Sequence, residues 1–208
     1  MPAALLNHDE VFRRYFAPLY RPEDLARRKL PATLPDMMRS FPPGTTVEDA
    51  IAYDEAYVQQ VTKMVEGLVD QEVQMSSQRK GVRVPRDWRN ASAAELVAWV
   101  DSLDGYWTPS RVAKIQEEAA FNPQTPQKEV IGPCLGFGAL LALSLMRLSG
   151  GALLPEVPYW DSSILHAPSG HEAFVFHWAI KKFSSYGVAD GFAAKLATVC
   201  QMWEKGTS

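Results

Sequence analysis

The chain has 208 residues, of which 47% are hydrophobic and 22% are charged, and its formal net charge is −3. A chain of this length can bury a sizeable core, and this composition excludes a disordered protein. The mild negative charge also argues against an overall attraction to nucleic acid, so we expect no nucleic-acid partner.

Two features of the sequence predict a cytoplasmic protein. Cys134 and Cys200 lie far apart in apolar surroundings, which is typical of buried thiols in a reducing compartment rather than of a disulfide framework. The N-terminus shows no basic segment followed by a long apolar stretch, so we expect no signal peptide. Residues 130–148 are apolar but short for a membrane span and contain Pro133 and Arg147, so we predict a buried core helix there and no membrane contact.

Residues 1–45 are predicted to form a proline-rich, helical N-terminal arm. Asn7 and Glu10 have the spacing of a capping box, in which each side chain bonds the backbone of the other residue. Prolines from position 18 onward interrupt the helical pattern. We expect one further short helix in this arm, at about residues 23–29.

Residues 46–208 are predicted to form one mainly helical domain. The longest helix is expected from 46 to 75, because no proline interrupts this segment and apolar residues recur in it at helical spacing. Ser92 and Glu95 have the spacing of a second capping box and predict the start of another helix. Glycines in the segment 132–138 do not match a phosphate-binding loop, and close helix packing explains them better.

A β-hairpin is predicted at about residues 162–176. Residues 167–170 have the composition of a turn, and such a turn places His166 opposite His171 on one face. If the return strand continues, His177 lies about 20 Å beyond His171, at roughly 3.3 Å per residue. The predicted fold class is therefore mainly α, a helical bundle with a small C-terminal β-hairpin, with an α+β fold as the alternative.

Charge is unevenly distributed between the longest predicted helix and the connector that follows it. Residues 46–75 hold seven acidic residues and one lysine, whereas residues 76–92 hold five basic residues and one acidic residue. Such runs are usually solvated surfaces, but clustered acids also speed association with a basic partner. We predict that partner contacts come from the acidic side chains of this helix: Glu48, Asp54, Glu55, Asp70 and Glu72.

The sequence offers two rival sources of chemistry. His166 and His171 lie near Asp161, and these three side chains are the candidates for acid–base groups or metal ligands of a small enzyme. Cys134 begins a predicted helix, where the pKa of a thiol can be lowered, but its surroundings are apolar. Neither pattern is diagnostic, so we predict no catalytic residue, no metal and no cofactor. A structural adaptor subunit is a third reading.

Short segments characterise the C-terminal portion of the chain, roughly residues 132–200: Gly136-x-Gly138, Gly150-Gly151, Pro155-x-x-Pro158-Tyr159-Trp160-Asp161-Ser162, and Phe176-His177-Trp178-Ala179 with Lys181-Lys182. This pattern resembles small cytoplasmic bacterial proteins that serve as immunity partners of interbacterial toxins, including toxins delivered by type VI secretion. The resemblance covers about a third of the chain and is a likeness of pattern. It implies a protein that binds a toxin domain with a basic surface and blocks its active site, with no chemistry of its own.

Overall fold

The computed structural model describes residues 5–23, 39–50, 55–121, 127–156, 158–185, 187 and 191–206. These residues form mainly helices with a small antiparallel sheet near the C-terminal end, which confirms the predicted fold class. The helices are α1 (His8–Val11), α2 (Val47–Ala50), α3 (Glu55–Ser77), α4 (Ala93–Tyr106), α5 (Pro109–Phe121), α6 (Gly132–Ser149), α7 (Val175–Lys182) and α8 (Phe192–Lys205). The strands are β1 (Arg39–Ser40), β2 (Ala152–Leu154), β3 (Ser163–His166) and β4 (His171–Ala173).

Helix α6 lies at the centre of the fold and packs against α3, α4, α7 and α8. The apolar helical stretch Glu129–Ser149 has the length and composition of a membrane span, but 78% of its most apolar window is buried inside the protein. A helix that is apolar on all its sides can form the core of a globular protein, where neighbouring elements bury it. The prediction of a buried core helix is confirmed.

Two glycines let neighbouring elements approach α6 closely. A Cβ atom on Gly138 would lie 2.6 Å from Cδ1 of Phe176 on α7 and 3.1 Å from its Cα. A Cβ atom on Gly136 would lie 2.6 Å from Oε2 of Glu72 on α3. A larger residue at position 138 would force α6 and α7 apart, whereas one at position 136 would displace the end of the Glu72 side chain, so close packing accounts for both glycines.

The N-terminal segment begins with the predicted capping box. The Glu10 amide donates to Oδ1 of Asn7 at 2.9 Å, and the Asn7 amide donates to Oε2 of Glu10 at 2.8 Å. Helix α1 continues as a π-helical turn, Phe12–Phe16, whose aromatic side chains enter the core, and then as a 3-10 turn, Ala17–Leu19. The helix expected at about 23–29 lies almost wholly outside the described residues.

The segment 46–75, predicted as one helix, contains α2 and most of α3, and residues 51–54 between them are outside the described residues. The second predicted capping box is also confirmed. The Glu95 amide donates to Oγ of Ser92 at 3.3 Å, and the Ser92 amide donates to Oε2 of Glu95 at 2.8 Å. Helix α4 therefore begins where the sequence predicts it.

The sheet has the strand order β1-β4-β3-β2, and all its pairings are antiparallel. The hairpin is confirmed, because residues 167–170 form the turn and His166 pairs with His171. The predicted length of the return strand is wrong, since the strand ends at Ala173 and α7 begins at Val175. His177 therefore lies on a helix instead of further along the strand.

Candidate functional site

Three polar side chains are linked to the carboxylate of Asp161, which ends a 3-10 turn, Tyr159–Asp161, before β3. The hydroxyl of Tyr20 donates to both carboxylate oxygens, at 2.9 and 3.0 Å. Nε2 of His177 lies 2.7 Å from Oδ1 of Asp161. Nε1 of Trp160 donates to the Tyr20 hydroxyl at 3.1 Å. We call these four side chains the polar junction, because they join the N-terminal segment to the sheet and α7.

Asp161 and His177 of the polar junction are sealed from solvent, whereas Tyr20 is partly exposed. Asp161 is 1% exposed and His177 is 0% exposed, and the ring centroids of Phe12 and Phe174 lie 6.1 and 6.2 Å from that of His177. An aspartate can orient a histidine for general-base catalysis, but the histidine must then reach a substrate. The rival hypothesis grouped Asp161 with the hairpin histidines, whereas the structure pairs it with His177 and Tyr20 in the interior.

The hairpin histidines are cross-strand neighbours, as predicted. Nδ1 of His166 lies 2.8 Å from Oγ of Ser169, and the His166 ring stacks on Trp203 with centroids 5.1 Å apart. Burial lowers the pKa of His166, and the nearby His171 lowers it further. Within the described parts of the chain, no group of three or more His, Cys, Asp or Glu side chains could hold a metal ion.

The two cysteines are free thiols, and Cys134 is buried whereas Cys200 is partly buried. Burial raises the pKa of the Cys134 thiol well above its usual range. Because the thiolate is the nucleophilic form, this environment disfavours covalent chemistry at Cys134.

Glu72 is a core residue, so it does not belong to the predicted contact surface. Its side chain is 0% exposed, forms an ion pair with Arg79 and accepts a hydrogen bond from Ser76 Oγ at 2.5 Å. Burial raises the pKa of Glu72, and Arg79 opposes that shift. The Arg79 guanidinium in turn lies 4.8 Å from the ring centroid of Trp107, which adds a cation–π contact. Interior partners therefore hold Oε1 of this carboxylate, whereas Oε2 is buried without a hydrogen-bond partner in the described chain.

Asp70 is half exposed, but partners within the chain also hold it. Arg89 donates to its two oxygens, at 3.1 and 2.8 Å, and Nε1 of Trp88 donates at 2.9 Å. The hydrogen bonds from Arg89 and then Trp88 lower the pKa of Asp70. Part of the contrast between the acidic helix and the basic connector is therefore neutralised inside the molecule.

The remaining acidic side chains of α2 and α3 face solvent. Glu48 and Glu55 are exposed as predicted, and Asp54 lies outside the described residues. Glu66, which we did not predict as a contact, is also exposed. Glu55 accepts a hydrogen bond from Gln59 at 3.1 Å, whereas Glu48 and Glu66 form no hydrogen bond or ion pair within the described chain. We call the carboxylates of Glu48, Glu55 and Glu66 the acidic face.

A groove made of two adjoining clefts lies beside the acidic face. A cleft of about 280 Å³ lies between α3, α6 and Trp88, and a cleft of about 460 Å³ lies between α2, α3 and β2. Thr62, Met146 and Leu153 line both clefts, so the clefts adjoin, and we call the two together the groove. Most of the other lining side chains are apolar: Val65, Val69 and Leu143 in the smaller cleft, and Val47, Val58 and Leu165 in the larger one.

Charged side chains border this groove. Glu48 lines the larger cleft, and Glu66 lines the smaller one together with Arg89 and Arg147. Arg89 is paired with Asp70, and Arg147 donates to the carbonyl oxygens of Ala91 and Arg89. Among the described lining residues, the side chains of Glu48 and Glu66 form no hydrogen bond or ion pair, although the charge of Arg89 acts on Glu66.

No protein-family model, curated protein or solved structure matches this chain.

Proposed function

We propose that this chain is a cytoplasmic binding protein of the immunity type, which neutralises a secreted interbacterial toxin by occluding its active site. The observation that carries the proposal is the acidic face beside the apolar groove. Its carboxylates are exposed, and those of Glu48 and Glu66 form no ion pair within the described chain. Such a surface is complementary to a basic site on another protein.

The charge of the acidic face suits a toxin that acts on an anionic substrate. Enzymes of that kind place lysine and arginine side chains where negative charge develops during the reaction. Carboxylates on an inhibitor occupy the same position as the substrate and steer its approach through long-range attraction. The residues on α2 and α3 therefore supply both the rate of association and the blocking contact.

The polar junction has a structural role in this proposal. The polar junction contains the closest aspartate–histidine pair among the described residues, and its two members are at most 1% exposed. In such a place the pair fixes the packing of the N-terminal segment on the sheet.

The proposal is tested by purifying the tagged full chain from its native cells and identifying the bound proteins by mass spectrometry. We expect one near-stoichiometric protein that is toxic when expressed alone and harmless when expressed with this chain. Glu55→Lys should weaken the complex, and Glu117→Lys, an exposed change on α5, should not.

Three outcomes contradict the proposal. The first is recovery of no stoichiometric partner, and the second is recovery of a partner without toxicity. The third is recovery of a stable housekeeping assembly, which favours an adaptor subunit. Stoichiometric metal in the purified chain would instead favour the enzyme hypothesis.

A further inference from the structure

We propose that the groove receives a single segment of the protein partner, in which apolar side chains are flanked by lysine or arginine. This inference rests on the proposed function, from which it takes that the partner is a protein. It adds the chemistry of the partner segment that the groove binds. The apolar side chains enter the two clefts, and the basic side chains reach Glu48 and Glu66.

The lining of the groove favours apolar side chains. Val65 and Val69 are buried, whereas Leu143 and Met146 on α6 remain partly exposed in the same cleft. Leu153 on β2 lines both clefts. Covering the partly exposed apolar atoms removes them from water, which is favourable in proportion to the area covered.

The shape of the groove favours a continuous segment over a small molecule. A small ligand typically occupies one enclosed pocket. Here two clefts of about 280 and 460 Å³ meet at Thr62, Met146 and Leu153. A peptide segment with apolar side chains at successive positions on one face fills both clefts at once, as amphipathic segments do in grooves of other proteins.

The bordering charges favour cationic neighbours for those apolar side chains. Glu48 and Glu66 border one cleft each, and within the described chain neither has a hydrogen bond or an ion pair. Arg89 and Arg147 are also present, but Asp70 and two backbone carbonyls already accept their hydrogen bonds. A basic segment gains charge-assisted bonds at these two carboxylates, whereas an acidic segment meets arginines whose guanidinium groups already bond Asp70 and the backbone.

The test uses a phage-displayed library of random peptides, about 12 residues long, selected on the immobilised full chain. We expect enrichment of peptides in which apolar residues neighbour Lys or Arg. Synthetic copies should bind roughly tenfold more weakly to Glu66→Lys than to the wild type, and Glu117→Lys should leave binding unchanged. Selection on the double variant Glu48→Lys/Glu66→Lys should yield apolar peptides that carry Asp or Glu.

A second variant tests the location independently of charge. Thr62→Trp places a large side chain where the two clefts meet, and circular dichroism establishes that the variant is folded. We expect at least a tenfold loss of peptide binding. Enrichment of no peptide, enrichment of acidic peptides by the wild type, or full binding to both Glu66→Lys and Thr62→Trp would overturn the inference.

The groove and the proposed function can fail separately. If selected peptides bind as expected and the native partner is not a toxin, the groove inference stands and the immunity proposal fails. If a toxin is neutralised while Thr62→Trp has no effect on neutralisation or on peptide binding, the immunity proposal stands and the groove inference fails.

Discussion

The polar junction and the acidic face use the same kinds of side chain in opposite ways. Asp161 accepts hydrogen bonds from Tyr20 at one side of the junction and meets His177 at the other, and all three lie inside or at the edge of the core. Glu48 and Glu66 are exposed to solvent, and within the described chain their side chains form no hydrogen bond or ion pair. A carboxylate that is bonded within the chain therefore stabilises the fold, whereas one that is exposed without such bonds can bind another molecule.

This difference has an energetic basis. A buried carboxylate must be bonded internally, because water no longer solvates it and the unpaired charge is costly. An exposed carboxylate pays no such penalty and keeps its charge available to a partner. The core residue Glu72, paired with Arg79, belongs with the polar junction in this respect, although it lies on the same helix as Glu66.

The largest expected effect on stability comes from removing the carboxylate of the polar junction. Asp161→Ala removes the carboxylate from the buried His177 ring and from the partly buried Tyr20 hydroxyl, so we expect a loss of about 3–5 kcal/mol in the free energy of unfolding. Urea denaturation measures this loss. Asp161→Asn keeps one acceptor oxygen for Tyr20 and should cost less. A stability for Asp161→Ala within about 0.5 kcal/mol of the wild type would contradict the structural role.

Helix packing at α6 should give the next largest effect. Gly138→Ala brings a Cβ atom against Phe176, including its backbone, so we expect a loss of about 1–3 kcal/mol from overpacking. The matched control is Gly67→Ala in α3, where a Cβ atom meets nothing within 4 Å. That change should stabilise the helix by roughly 0.5–1 kcal/mol. Equal thermal midpoints for the two variants would contradict the close approach of α6 and α7.

Charge reversal on the acidic face should affect association more than folding. Glu48 and Glu55 lie in the first turns of α2 and α3, where the helix dipole favours negative charge, so we expect the double variant Glu48→Lys/Glu55→Lys to stay folded and to lose about 1–2 kcal/mol in the free energy of unfolding. Its association rate with the captured partner at low salt should fall roughly tenfold, because steering by complementary charge is lost. Stopped-flow or surface-based kinetics measure this rate. A rate equal to that of Glu117→Lys would remove the acidic face from the interface.

The smallest expected effect is a pH dependence at the hairpin. The pKa of His166 is lowered in the folded protein by burial and by His171, so the unfolded chain binds this proton more tightly. Stability should therefore fall as pH drops below about 6.5, and this fall should level off below the folded pKa. His166→Asn should show a shallower fall in urea titrations at successive pH values, and His171→Asn a smaller change. An unchanged slope in His166→Asn would contradict the shift.

Local signals in the sequence predicted several elements correctly. The two capping boxes depend on residues three positions apart, and the hairpin depends on a turn of four residues, so neighbouring residues specify both. The return strand was predicted too long, because residues 173–176 are all buried and their pattern does not distinguish a strand from a helix. The predicted position of His177 depended on that distinction and was therefore wrong as well.

The site depended more on contacts between distant parts of the chain. Glu72 follows Val61, Val65 and Val69 at helical spacing, and this signal places it on the buried face of α3. Its close approach to Gly136 on α6, a residue 64 positions further along the chain, cannot be read from local sequence. The groove joins α2, α3, α6 and β2, which are separated in the chain, so the sequence could indicate its acidic border but not its apolar floor.

Neutralisation of the captured partner by the double variant Glu48→Lys/Glu66→Lys is the most direct measurement of whether this face binds a toxin. Cells that express the partner with the wild-type chain or with Glu117→Lys should survive. Cells that express it with the double variant should lose viability, although circular dichroism shows that the variant is folded. Full protection by the double variant would contradict a role for the acidic face and its groove in toxin binding.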